Sequence, residues 1–392
     1  MKIVKKAVAA ALAAGMIMTA AAGCADTSWS YKDDKTTLPI GTYIYYLTGA
    51  YSYAQQTAQA DVEVTTDAEG ATEATEAVDV MNAKIKDEDD KEVTGKEYML
   101  KTAEQSSKTL LYTLKKFDEL GLTLTDAQKT QIDSLASQGW SYSGKSYEKL
   151  GVSQNSYKLA YAEFSTKYEA VFKTLYSKGG EKEVSDADLE KYYTSNYVDY
   201  SYIPINLYKT VESTDKAAED ADSSSTTEAL SDEEIKKIQS TFDSYKDQLN
   251  KGEKTFDEID KAFMEYQSLD KSTAVSATEI LDNSSTAADI VDALKELKDK
   301  QATVITVGEG NTAVMYLVYR GDITAKTGNL DDENTRYSVL TSMKKDEYND
   351  YMDEQAQKLD VQTNEAALNQ YSPEEVEKKL NELKADSSSS NS

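Results

Sequence analysis

The sequence predicts an α+β fold, with helices over residues 38–197, a smaller mixed region over 198–325, and helices again over 332–384. Three observations carry this. Between 38 and 197 apolar residues recur in steps of three and four, and most runs open on a Ser or Thr placed to cap them. At Val198 the period changes to two, as Val198, Tyr200 and Tyr202 alternate with Asp199 and Ser201. Two later runs, Thr303–Val307 and Thr312–Arg320, flank Gly308-Glu309-Gly310 and read as a hairpin.

Lys2, Lys5 and Lys6 precede an apolar run, Ala7–Ala22, that ends in Ala21-Ala22-Gly23-Cys24. A charged start, short apolar middle and small-residue end make residues 1–23 a secretory signal, and the run is too short and Ala-rich for a good membrane span. Residues 24–37 read as a tether. Pro39-Ile40-Gly41 then starts a helix with Ile44, Leu47, Tyr51 and Ala54 on one side. Residues 61–78, mostly Thr, Ala, Glu and Asp, have almost nothing to bury and read as a disordered acidic loop. Thr94 with Glu97 forms a capping box for a helix bearing Met99, Ala103, Leu110, Leu114 and Phe117, ended by Leu120-Gly121. Thr125 with Gln128 opens the next, whose core face is Ile132, Leu135 and Ala136 and whose expected close is Gly139. Ser153 caps a helix whose buried stripe reads Tyr157, Tyr161, Phe164, Tyr168, Val171 and Leu175, stopping at Gly179-Gly180. Ser185 with Asp188 boxes another, with Leu189, Tyr192 and Tyr193 inward.

Past Tyr197 the strand Val198–Ile205 contains Pro204, which marks an edge or a bulge. Residues 210–230, rich in Ser, Thr, Ala and acids, read as a second disordered loop. Helices follow around Ile235, Ile238, Phe242, Tyr245 and Leu249, at Phe256-Asp257-Glu258-Ile259, and from Ile290 to Leu297, before the hairpin. A long helix over 332–359 carries Tyr337, Leu340, Met343, Tyr351 and Leu359. Asn364 and Ser372-Pro373-Glu374-Glu375 each start a short one. Residues 385–392 read as an unstructured tail.

Composition excludes much. The formal charge is −27, and −30 once residues 1–23, with three lysines and no acid, are removed; nucleic acid is not an expected partner. With 0 His there is no Ser-His-Asp or Cys-His catalysis and no His-ligated zinc. No phosphate-cradling Gly-rich loop appears, so no metal and no cofactor is expected. Cys24 is the one cysteine, which forbids an intrachain disulfide. The chain holds 28 Tyr against 6 Phe, rings that join apolar area to a wettable hydroxyl.

The order Gly151-Val152-Ser153, aromatic helix, Val184-Ser185-Asp186, Leu189, Tyr192-Tyr193, Asn196-Tyr197 and strand resembles the extracytoplasmic foldases of the PrsA and SurA type. The resemblance implies a helical chaperone domain built from N-terminal (38–197) and C-terminal (332–384) segments, Leu359-Asp360-Val361 to Tyr371 being similar to that family's returning segment. It also implies a small inserted parvulin-like peptidyl-prolyl isomerase domain over 198–325. Active members carry a His on the first strand and another on the last; Val198–Ile203 and Val314–Val318 put Tyr202 and Tyr316 there. The family's Gly-rich segment is unrecognisable between Leu269 and Ser285. The implied domain is degenerate and non-isomerising, with no catalytic residue. Cys24 after Ala-Gly resembles a bacterial lipobox, with Ala21 where Leu is preferred, and implies lipidation at Cys24 and a place at the outer face of the cytoplasmic membrane.

The expected function is a lipid-anchored chaperone that holds unfolded or translocating secreted proteins, attached to the membrane through lipid alone. The alternatives are an active prolyl isomerase with Tyr202 and Tyr316 lining its pocket, and a surface lipoprotein that binds an envelope component. No residue is singled out for client contact, and the choice between monomer and homodimer stays open.

Overall fold

A computed structural model describes residues 28–60, 78–87, 90–212 and 225–389. The signal segment, Cys24 and nearly all of the first acidic loop lie outside the described residues. The described chain forms two compact units, one from residues up to Glu183 and from Lys344 onward, the other from Val184–Met343.

The first unit begins as a hairpin where a tether was expected. β1 (Trp29–Lys32) pairs antiparallel with β2 (Thr37–Pro39). Asp33 closes the turn, its Oδ1 accepting from the backbone N–H groups of Lys35 and Thr36. Tyr31 and Leu38 are buried, so residues 28–37 are folded; strands this short leave too little periodicity to read. α1 (Ile40–Ala60) buries Ile44, Leu47, Tyr51 and Ala54 as their spacing demands. β3 (Lys84–Lys86) and β4 (Glu92–Thr94) pair and deliver the Thr94 cap of α2 (Gly95–Glu119), where both halves of the capping box form. A Cβ at Gly95 would lie 2.0 Å from the carbonyl oxygen of Val80.

α3 (Asp126–Leu150) opens on the Thr125–Gln128 box but does not close at Gly139. It runs on to Gly151, whose φ of 102° ends it. Gly139 instead provides room: a Cβ there would sit 2.1 Å from the Tyr157 hydroxyl. α4 (Gln154–Lys158) passes through a π-helical turn, Leu159–Glu163, into α5 (Phe164–Tyr176). The wider turn shifts the inward stripe. Tyr157, Val171 and Leu175 are buried as read, but Tyr161 is 40 % exposed and Ala160 and Ala162 take the inside.

The second unit starts earlier than the sequence reading placed it. α6 (Asp186–Asn196) has its Ser185 cap, and Asp188 accepts the Ser185 hydroxyl at 2.6 Å. Its Tyr192 hydroxyl donates to the Ser342 carbonyl, the Tyr197 hydroxyl to Ser342 Oγ, and Arg336 pairs with Asp186. These contacts move the boundaries from 198 and 325 to 184 and 343. β5 (Val198–Asn206) follows. β6 (Tyr208–Glu212) and β7 (Ser225–Ala229) pair from Tyr208↔Ala229 to Glu212↔Ser225, so both ends of the expected 210–230 loop are strand; 213–224 lie outside the described residues.

α7 (Asp232–Asn250) and α8 (Phe256–Gln267) lead to β8 (Val275–Glu279), then α9 (Ala288–Glu296), β9 (Gln301–Val307) and β10 (Val314–Arg320). The sheet is antiparallel, in the order β8-β5-β10-β9. One face packs Ile203, Met315 and Leu317 against Phe242, Ile259 and Phe263 of α7 and α8. The other packs Val198, Tyr200 and Val318 against Ile290, Val291 and Leu294 of α9. β5 is therefore internal over Val198–Tyr202 and an edge only beyond. The Asp199 carbonyl accepts from the Gly321 N–H on the β10 side, so by alternation the even-numbered residues of β5 face β8. Pro204 faces that side too, just past the last pair, Tyr202↔Val275, and its missing N–H breaks no rung.

α10 (Glu333–Gln357) counts with the second unit through Met343 and with the first from Lys344 on. In the first unit its Tyr348 hydroxyl donates to the Tyr168 carbonyl, while Tyr168 and Tyr176 of α5 donate to Asn349 and Glu347. β11 (Gln362–Thr363) adds to β1, giving the order β11-β1-β2. α11 (Glu365–Gln370), capped by Asn364, and α12 (Pro373–Ser389) complete the return. α12 occupies 385–389, where an unstructured tail was expected. Ala367 and Val376 share one core with Ile44, Leu47, Met99 and Leu110, so both ends of the chain build a single helical unit.

Candidate functional site

The two positions picked from the sequence, Tyr202 and Tyr316, meet on the α9 face of the sheet. Their register, Val318↔Tyr202 and Tyr316↔Pro204, makes them diagonal neighbours. The rings stand edge to face, 5.8 Å apart at 72°. Tyr200 lies beside Tyr202, and Ala277 and Ile305 fill in around them. Both rings are half-buried, because α9 covers the end of this face at Val198, Tyr200 and Val318.

A polar rim the sequence did not show adjoins the pair. The Tyr200 hydroxyl donates to Glu279 Oε1 at 2.5 Å and shares a 2.8 Å bond with Thr286 Oγ1. Ser284 Oγ donates to the same Glu279 oxygen at 2.5 Å. Burial pushes the Tyr202 phenol up, and nearby Tyr316 and Glu279 push it further; burial and Glu279 do the same to Tyr200. These two phenols therefore stay neutral well above physiological pH. Glu279 already accepts from two hydroxyls, and no imidazole exists to take a proton. The site offers aromatic walls and hydroxyl donors, with no poised nucleophile or base.

In the first unit a second aromatic group centres on buried Tyr157, whose ring lies within 5.6 Å of Tyr45, Trp140, Tyr147 and Tyr161. It draws on α1, α3, α4 and the π-helical turn. Burial is the leading cause raising the phenols of Tyr45, Tyr147 and Tyr157. Most tyrosines are spent on internal packing of this kind; among the described residues Tyr53, Tyr142 and Tyr161 are the well-exposed ones. A shallow concavity along Asp126, Thr130 and Leu135 of α3 is lined by none of these aromatic residues.

Among the described residues no cluster of acids or cysteine is placed to hold a metal ion, and no helix is long and apolar enough to cross a membrane. The fold is that of a mostly helical α+β protein with small antiparallel sheets, and its site is a pair of half-buried aromatic rings beside a rim of hydroxyls and one carboxylate. No family model matches the chain, and no curated protein matches it. Among solved structures it is similar to the foldase protein PrsA of Streptococcus pneumoniae str. Canada MDR_19A, at 14 % identity and a TM-score of 0.33, over 74 % of this chain and 99 % of that one. Similarity extends to foldase protein PrsA from Lactococcus lactis (12 %, TM-score 0.31, 88 % and 100 %) and PrsA from Bacillus subtilis (16 %, 0.26, 71 % and 93 %).

Proposed function

We propose that this protein is a lipid-anchored foldase of the PrsA type that holds unfolded secreted chains outside the cytoplasmic membrane without isomerising them. The observation that carries the reading is the split helical unit: β1 between β2 and β11, and Val376 and Ala367 in the core of α1 and α2, with a small sheet unit inserted. This agrees with the domain order that the Ser153–Tyr202 resemblance implies. The sheet unit's run of a first strand, helices and a closing hairpin supports a parvulin-like origin for it. Tyrosines in place of both expected histidines support loss of isomerisation. Lipidation at Cys24 rests on the Ala-Gly-Cys motif alone, and replacing Cys24 by Ala should release the protein from membranes. The holding function is tested by light scattering: stoichiometric protein should suppress aggregation of a reduced, unfolding client, and no suppression would remove the proposal.

Prolyl isomerisation remains the second reading, favoured by the aromatic wall of Tyr202 and Tyr316. Rotation about an X–Pro amide breaks no bond, so a site without base or nucleophile is not disqualified by chemistry alone. A protease-coupled proline-peptide assay separates the two readings, background rate being expected.

A further inference from the structure

The two edges of the four-stranded sheet are finished differently. On β9 the odd-numbered residues pair with β10, since the Arg320 carbonyl accepts from Lys300 on that side. Ala302 therefore faces outward, and the Asn250 side chain covers it from both directions: Asn250 Oδ1 accepts from the Ala302 N–H at 2.7 Å and Asn250 Nδ2 donates to its carbonyl at 3.1 Å. That amide stands where another strand would begin to pair.

The β8 edge has no such guard among the described residues. Val275, Ala277 and Glu279 pair inward with Tyr202, Tyr200 and Val198, which turns the N–H and C=O groups of Ser276 and Thr278 outward. The strand is in unbroken register over five pairs and carries no Pro, Lys or bulge, the usual protections of an edge. Its two faces differ. Val275, 40 % exposed, and Ala277 continue the apolar strip of Tyr202, Tyr316 and Ile305. Ser276 and Thr278 lie on the opposite face, where Ser276 shares a hydroxyl hydrogen bond with Ser201 and the Thr278 hydroxyl donates to Asp199, an acid that also pairs with Lys326. Residues 269–283 carry Asp270, Glu279 and Asp282 against Lys271 alone, within a chain of net charge −27.

We propose that the outer edge of β8 takes an extended segment of another polypeptide as a fifth strand, selecting segments that alternate apolar with basic side chains. Backbone pairing makes the site tolerant of sequence. The apolar side chains fall beside Val275 and Ala277, and the basic ones over Ser276 and Thr278, on the face that carries Asp199. This rests on the client-holding reading only for the source of that segment.

The probe is an acetylated octapeptide of alternating lysine and valine, added to the full chain at low salt. Amide exchange at Ser276 and Thr278 should slow at saturation. Of two octapeptides N-methylated on alternate residues, one on lysines and one on valines, one should bind and the other should not. Ser276→Pro removes an outward N–H without touching the inner ladder and should weaken binding about fivefold relative to Ser276→Ala, with exchange at Tyr200 confirming that the sheet is intact. Unchanged exchange at Ser276 and Thr278 under saturating peptide overturns the proposal, as does protection that rises with protein concentration alone, which would assign the edge to a second copy of this chain. Aggregation suppression by the unaltered protein with no peptide protection removes the edge and leaves the holding function. Peptide protection with no suppression does the reverse.

Discussion

Substituting Val376 by Ala tests whether the returning helix is part of the first unit's core or an appendage to it. Val376 is 1 % exposed and packs with residues from the other end of the chain. Val→Ala removes two methylene equivalents, about 1.6 kcal/mol by transfer, and the space left unfilled raises the cost to about 2–3 kcal/mol. For a unit of this size each kcal/mol moves the melting point about 2–4 °C, so Tm should fall by about 5–10 °C. The readout is intrinsic fluorescence, because both tryptophans, Trp29 and Trp140, lie in the first unit. A shift below about 1 °C would mean that α12 contributes nothing to the structure those tryptophans sense, and the single-core reasoning would fail.

Two glycines should respond in opposite directions in urea melts: Gly95→Ala drives a Cβ against the Val80 carbonyl and should cost about 1–3 kcal/mol. Gly49→Ala, exposed within α1 with open space around it, should gain about 0.5–1 kcal/mol. Acid should loosen the second unit through Asp322, which Lys300 and Thr324 hold down to about 2 from an ordinary 3.8. A lowered folded pKa gives stability that is present above the unfolded value and lost on descent, so between about pH 4 and pH 2 Asp322→Asn should flatten the decline, read by amide exchange at Gly321 and Thr324. Tyr316→Ala should cost about 0.5–1.5 kcal/mol beyond lost area through the Tyr202 edge-to-face contact, whereas Tyr316→Phe should be near neutral; equal losses for the two would assign the effect to the hydroxyl.

Features set by near neighbours were legible in the sequence. The boxes at Thr94 and Thr125 need only residues three positions away, and both form. Gly139 was misread as a stop because the group that requires it, the Tyr157 hydroxyl, arrives from another helix. The stripe from Tyr157 to Leu175 lost Tyr161 because a π-helical turn breaks the period on which such a reading relies. β8 escaped notice because its alternation rests on Val275 and Ala277 alone, too short a pattern to stand out from a polar loop. Tyr202 and Tyr316 came from the family resemblance, as the residues standing where its histidines would, but Glu279, Ser284 and Thr286 did not, since only the folded sheet brings them to Tyr200.

The central claim is that this protein grips other chains and does no chemistry on them. Refolding of a client limited by one X–Pro isomerisation, a step of tens to hundreds of seconds, measures both halves at once. The account predicts a higher yield of native client with the slow rate constant unchanged at every protein concentration. A slow phase that accelerates in proportion to added protein, or a yield no better than buffer, would contradict it.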